Sequence, residues 1–116
     1  MANAETPIFT RTFDFLTWLL PATNHFPRAH RHTFTQRLLN AAFEVREHLE
    51  AANHRGGRER LAQLRLADAA LDRVRLYVRL AAKWDWLSAG QYQHVAAMVA
   101  EIGRLLGGWI KVTQGN

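Results

Sequence analysis

Three cations stand one helical turn apart late in the chain: Arg75, Arg79 and Lys83, at i, i+4 and i+8. On an α-helix that spacing puts all three on one face. Like charges so placed repel by about a few tenths of a kcal/mol per pair. A bound anion relieves the repulsion, and a phosphate backbone is such an anion. The stretch from Arg55 to Lys83 holds eight cations (Arg55, Arg58, Arg60, Arg65, Arg73, Arg75, Arg79, Lys83) and three anions, Glu59, Asp68 and Asp72. Asp72 can offset Arg75 at i+3, and Asp68 can do so for Arg65. Two readings therefore stand side by side: an anion-binding face and a salt-bridged, solvated one.

The whole chain leans the same way. Its 116 residues carry fifteen Lys+Arg and ten Asp+Glu, a formal charge of +5. Thirteen of those cations are Arg, the side chain whose planar fork suits phosphate and carboxylate. The balance implies a polyanionic partner, nucleic acid or an acidic protein surface. An Arg-rich coding bias on a merely soluble protein is the plainer alternative.

Other constellations are weaker. His25, His30 and His32 lie close together, and such a cluster could ligate metal. The chain has no cysteine, and no carboxylate lies in that stretch. A polar turn is the preferred reading, with no metal; together with Arg28 and Arg31 the histidines can extend a basic surface. There is no Gly-rich phosphate loop, nucleophile elbow or His-Glu-x-x-His zinc motif, so neither an enzyme nor a cofactor is expected. Ser88 reads as a helix cap, and Glu101 as an ion-pair partner of Arg104 rather than a general base. Trp84 and Trp86 are either lids on the core or a stacking surface for bases or a partner.

These residues must be positioned by helices. All three prolines precede residue 28, and no strand-length run alternates with period two. The spacing predicts one all-α domain over 1–116, with helices at about 7–24, 30–54, 58–84 and 88–112. Thr6-Pro7 reads as a cap followed by Pro at the first helical position. Phe9, Phe13, Leu16 and Leu20 then repeat at helical spacing, and Pro21 kinks or stops that helix. The second helix has the face Phe34, Leu38, Ala41, Val45, Leu49, Ala52. Arg55-Gly56-Gly57-Arg58 makes the next connection. The third helix has the core stripe Leu64, Ala67, Leu71, Val74, Val78, Ala81 and a second flank of Ala62, Leu66, Ala69, Leu76 and Leu80. That flank is either a subunit interface or a wide core face.

Ser88 with Gln91 forms a capping box for the fourth helix. Its core is Val95, Met98, Ile102, Leu105 and Trp109, and a small-residue seam runs through Ala96, Ala100, Gly103 and Gly107. Glycine inside a helix costs about 1 kcal/mol against alanine, so a close neighbouring helix is expected there. Four helices with short connections predict an up-down-up-down bundle. No apolar stretch approaches the ~20 residues of a membrane span. Met1 to Phe9 lack the charged-then-apolar order of a signal peptide. A cytoplasmic protein away from membranes is expected.

From Ala67 onward the chain resembles a known family. Ala67-Asp68-Ala69-Ala70-Leu71, then Arg75, then Arg79-Leu80, is similar to the third helix of Avd proteins, the accessory variability determinants of diversity-generating retroelements. Ala100-Glu101-Ile102-Gly103-Arg104-Leu105-Leu106-Gly107-Gly108-Trp109-Ile110 resembles their fourth. Phe26-Pro27-Arg28 and the helix after it fit the wider four-helix family, which includes proteins encoded in ribosomal RNA intervening sequences. The resemblance implies a four-helix bundle assembling into a barrel-like homopentamer. It implies partners as well: a reverse transcriptase and RNA, with DNA a further candidate, in the mutagenic copying of template RNA into cDNA. On the matched positions Arg75, Arg79 and Arg104 become contacts for polymerase or RNA, with Arg28, Arg65 and Lys83 as further basic candidates. Leu66, Leu76, Leu80, Gly103 and Gly107 become candidate subunit contacts. A generic bundle of the intervening-sequence type is the rival reading.

Overall fold

The structure, a computed structural model, describes residues 6–115. The Thr6 side chain, most of the Met1–Phe9 segment read for a signal, and Asn116 lie outside the described residues. Four helices follow in order: α1 (Thr6–Ala22), α2 (Gln36–Asn53), α3 (Gly57–Lys83) and α4 (Ala89–Gln114). Each packs on the next in sequence, and α4 returns to α1, which closes an up-down-up-down bundle.

The stripes expected on α2 and α3 are buried at every position. On α1 the buried face is Ile8, Thr12, Phe15 and Leu19, one residue off the expected repeat. Phe13 is 62% exposed and Leu20 is 49% exposed. Thr12 accounts for the shift. Its hydroxyl donates to Ile8 O at 2.9 Å and accepts from Arg46, so a polar residue type occupies a core position at no unpaired cost. Arg46, half-buried on α2, also donates to Phe9 O at 3.1 Å, pairs with Glu50 and stacks over the Phe9 ring. On α4 the core is Val95, Val99, Ile102, Leu106 and Trp109; the expected Met98 and Leu105 are only partly buried beside it.

α1 ends just after Pro21, as a ring without an N–H dictates. A 3-10 turn over Thr23–His25, extended Phe26 and Pro27, and a second 3-10 turn over Arg28–His30 follow. The chain then enters α2 through a wide π turn, Arg31–Thr35, where a regular helix was expected. The buried Phe34 ring touches Phe26, Tyr77, Trp84 and Trp86. Those contacts fix its register, and the wide turn takes up the extra residue.

At the other end, Gly57 takes φ +57° and lets α3 start directly after α2. Arg60 caps α2 by donating to Ala52 O at 2.9 Å. α3 closes with Trp86 N–H on Ala81 O and Asp85 N–H on Ala82 O, around Asp85 at φ +62°. That is a Schellman closure with a non-glycine residue in the left-handed position. The Ser88–Gln91 capping box then starts α4, with Gln91 N–H donating to Ser88 Oγ at 3.1 Å and Ser88 N–H to Gln91 Oε1 at 2.8 Å.

Asp85→Gly is expected to raise stability by about 1 kcal/mol in urea unfolding, because glycine carries no Cβ penalty at that φ. Destabilisation would contradict the left-handed assignment.

Candidate functional site

α3 buries one stripe, so its remaining side chains fall into place by rotation alone. Arg75 and Arg79 turn toward α4, where they line a groove of about 200 Å³ with Val78, Tyr92, Ala96, Val99 and Ala100. Two features that the sequence presented separately, the Arg stripe and the small-residue seam, form one groove. Small side chains on α4 leave the space, and α3 fills its rim with guanidinium groups. The Arg75 guanidinium lies across Gly103, on the spot a Cβ there would take. The close approach expected at Gly103 is therefore a side chain's, and no helix backbone enters. Gly107 faces open space, with nothing within 4 Å of where a Cβ would sit.

The individual cations differ. Arg75 is half-exposed and donates to Asp72 Oδ1 at 2.7 Å, as the spacing predicted. Arg79 is exposed and has no hydrogen bond or ion pair among the described residues. Arg65 and Lys83 are likewise exposed and unpaired, and Asp68 does not hold Arg65. Arg104 does not line the groove. It is held by Glu101 through two bonds, at 2.9 and 2.8 Å. The hydrogen bond from Arg104, helped by charge attraction from Arg104 and Arg11, keeps the Glu101 carboxyl below the usual carboxylate range. The same pair raises the Arg104 pKa. Arg73 turns the other way and pairs with Glu44 of α2.

Folding also sorts the net charge. The stretches Phe15–Phe43 and Arg73–Ala100 lie toward the end of the bundle that holds the α1–α2 connection and the α3–α4 turn. They carry seven cations (Arg28, Arg31, Arg37, Arg73, Arg75, Arg79, Lys83) against one acid, Asp85. The remaining described residues carry eight cations and eight acids. Glu44 and Asp72, just outside these stretches, pair with Arg73 and Arg75, so the local excess lies with Arg28, Arg31, Arg37, Arg79 and Lys83 around the α1–α2 connection and the α3–α4 turn. The signal was present in the sequence as two acid-poor stretches, but only the hairpin topology brings them together.

The apolar candidates on α3 face outward. Leu66 is 48% exposed and Leu76 is 50% exposed, with Leu80 partly buried; the flank is not a wide core face. Residue spacing alone did not show a second exposed apolar face. Phe13 and Leu20 lie on one stripe of α1, and Leu39 shares a groove with Leu20 and another with Phe43. The histidines do not converge: His30 stacks on Trp86 and His32 bonds Gln36. Among the described residues no three His, Asp or Glu side chains come together as a metal site requires. No helix among them is long and apolar enough to cross a membrane.

Fold and groove together define a small four-helix bundle with a cationic end. A family profile described as bAvd-like matches residues 8–113, and the chain belongs to that family. Among solved structures it is similar to a protein of unknown function from the S23 ribosomal protein family of Bacteroides thetaiotaomicron. The two share 14% identity at a TM-score of 0.84, over 93% of this chain and 98% of that one. That likeness concerns the fold. No curated protein matches the chain.

Gly107→Ala is expected to stabilise the protomer by about 1 kcal/mol, since open space lets helix propensity act alone. Gly103→Ala is expected to gain less, because the Arg75 guanidinium must move aside. Thermal unfolding of both reads this; a loss of several kcal/mol at Gly103 would contradict a flexible neighbour.

Proposed function

We propose that this protein is a non-enzymatic accessory factor of a diversity-generating retroelement. It binds the element's reverse transcriptase and template RNA through its cationic end and supports mutagenic cDNA synthesis. The observation that carries the reading is the cluster of cations with a single acid around the α1–α2 connection and the α3–α4 turn, within a chain of the bAvd-like family. Arg79, exposed and unpaired, is the leading contact. Arg75 reaches an anion by exchanging Asp72 for it, an exchange that costs little because exposed pairs are worth about 0–1 kcal/mol. Arg104 is the weaker candidate, since Glu101 already satisfies its fork.

The working form is a homopentamer. A closed ring needs a heterologous contact, in which one face of each protomer meets a different face of the next. Two exposed apolar faces support this: Leu66 and Leu76 on α3, and Phe13, Leu20 and Phe43 on α1 and α2. A ring repeats the cationic groove five times, so that individually weak sites act together. A bundle of the ribosomal intervening-sequence type with a structural role is the competing reading; the shared fold favours it, and it predicts no polymerase partner.

Titration of a structured RNA hairpin at several salt concentrations tests the proposal. Affinity should fall steeply with salt, by about 0.9 log units per log unit for each phosphate contact. The double variant Arg75→Glu, Arg79→Glu should lose about tenfold or more. Undetectable binding at low salt, or an unchanged double variant, contradicts the proposal. Native mass spectrometry should show five copies; a monomer at working concentration contradicts the ring.

A further inference from the structure

The α3–α4 turn and the α1–α2 connection meet in an aromatic cluster at the cationic end. Trp84 and Trp86 lie 4.9 Å apart between ring centroids, and Phe34 meets both edge-on at 5.4 and 5.2 Å. His30 stacks on Trp86 at 5.5 Å with only 20° between planes. Phe34 and Trp86 bury most of their surface, whereas Trp84 stays 46% exposed. Between these rings and Thr33 an open cavity of about 510 Å³ remains. That is room for a planar, drug-sized group, for which sites span about 300–1,000 Å³.

Exposure of a tryptophan beside an apolar cavity is costly unless something covers it. The surroundings say what. The segments 28–37 and 79–88, which hold the residues lining the cavity, carry five cations against a single acid, Asp85. An apolar side chain from a partner protein needs no such field. A nucleobase does, because it arrives on a phosphate strand. Aromatic faces inside a cationic surround are the combination that holds unpaired nucleic acid. The planar stack of His30 on Trp86 already presents the geometry a base would adopt.

We propose that this cavity is a stacking pocket for one unpaired nucleobase, with Trp84 as the face on which the base lies. The phosphates on either side are held by the surrounding cations. Arg79, a little over one helical turn before Trp84, joins the pocket to the α3–α4 groove. The pocket gives the protein a preference for single-stranded over paired RNA, since a paired base cannot leave its partner without cost. The inference rests on the RNA-binding reading above and adds a strand preference to it.

An oligouridylate of about 12 nucleotides and a blunt RNA duplex of the same length are the probes. The single strand should quench tryptophan emission of the wild-type protein, and the duplex should not. Trp84→Ala should weaken single-strand binding about 5- to 160-fold, the range for one lost stack, and leave duplex affinity within about twofold. Trp84→Phe, which keeps a ring, should retain most of the single-strand affinity. No quenching by the single strand, or single-strand affinity unchanged in Trp84→Ala, overturns the pocket. If the duplex still binds in that case, and binding still depends on Arg79, the groove reading survives alone. Wild-type protein that binds neither probe overturns both.

Discussion

The apolar stripe of α3, from Leu64 to Ala81, is shared between α2 and α4, and its burial fixes how the helix is rotated about its own axis. Nothing else on α3 has a choice of direction once those side chains are inside. Arg75 and Arg79 fall on the α4 side, Arg73 on the α2 side beside Glu44, and Leu66 and Leu76 on the outer face. A one-residue slip of this helix would turn every one of them by about 100°. The groove exists because Ala96 and Ala100 of α4 leave room between Tyr92 and Val99 that longer side chains would fill. Packing thus comes first, and the charged surface is its consequence.

The ends of the bundle differ in chemistry for a reason of topology. An up-down-up-down chain brings the α1–α2 connection next to the α3–α4 turn, and both are poor in acid. The other end brings the α2–α3 connection beside the start of α1 and the end of α4. At the far end Arg46 joins Glu50 and α1, and Arg60 donates to Ala52 O and lies over Trp109; toward the cationic end Arg73 and Arg75 are partly neutralised by Glu44 and Asp72. The aromatic cluster offers a further anchor at the cationic tip. Phe34 holds the two tryptophans and the Phe26 segment in one assembly without using charge.

Much of this was legible in the sequence, and the failures share a cause. The stripes of α2 and α3 could be read from helical spacing, and only exposure in the fold told the second flank of α3 apart from the core. On α1, Phe9, Phe13, Leu16 and Leu20 looked the better face because Thr12 interrupts the true one; a hydroxyl bonded to its own helix counts as core, although its residue type does not say so. On α4 both candidate heptads share Val95, Ile102 and Trp109, and hydropathy alone cannot choose between Met98 with Leu105 and Val99 with Leu106. The ion pairs Asp72–Arg75 and Glu101–Arg104 followed from i+3 spacing. The guanidinium over Gly103 did not, because it depends on the distance between two helices. The cationic end was legible only as two separate acid-poor stretches, because it is a sum over segments that only the fold makes neighbours.

Arginine modification by phenylglyoxal, with and without RNA and read by mass spectrometry, tests the central claim most directly. Arg79 and Arg58 are both exposed on α3 and lie about 30 Å apart along the helix. If RNA binds the cationic end, Arg79 becomes protected while Arg58 keeps its reactivity. Equal protection of the two, or protection of Arg58 alone, would contradict the account.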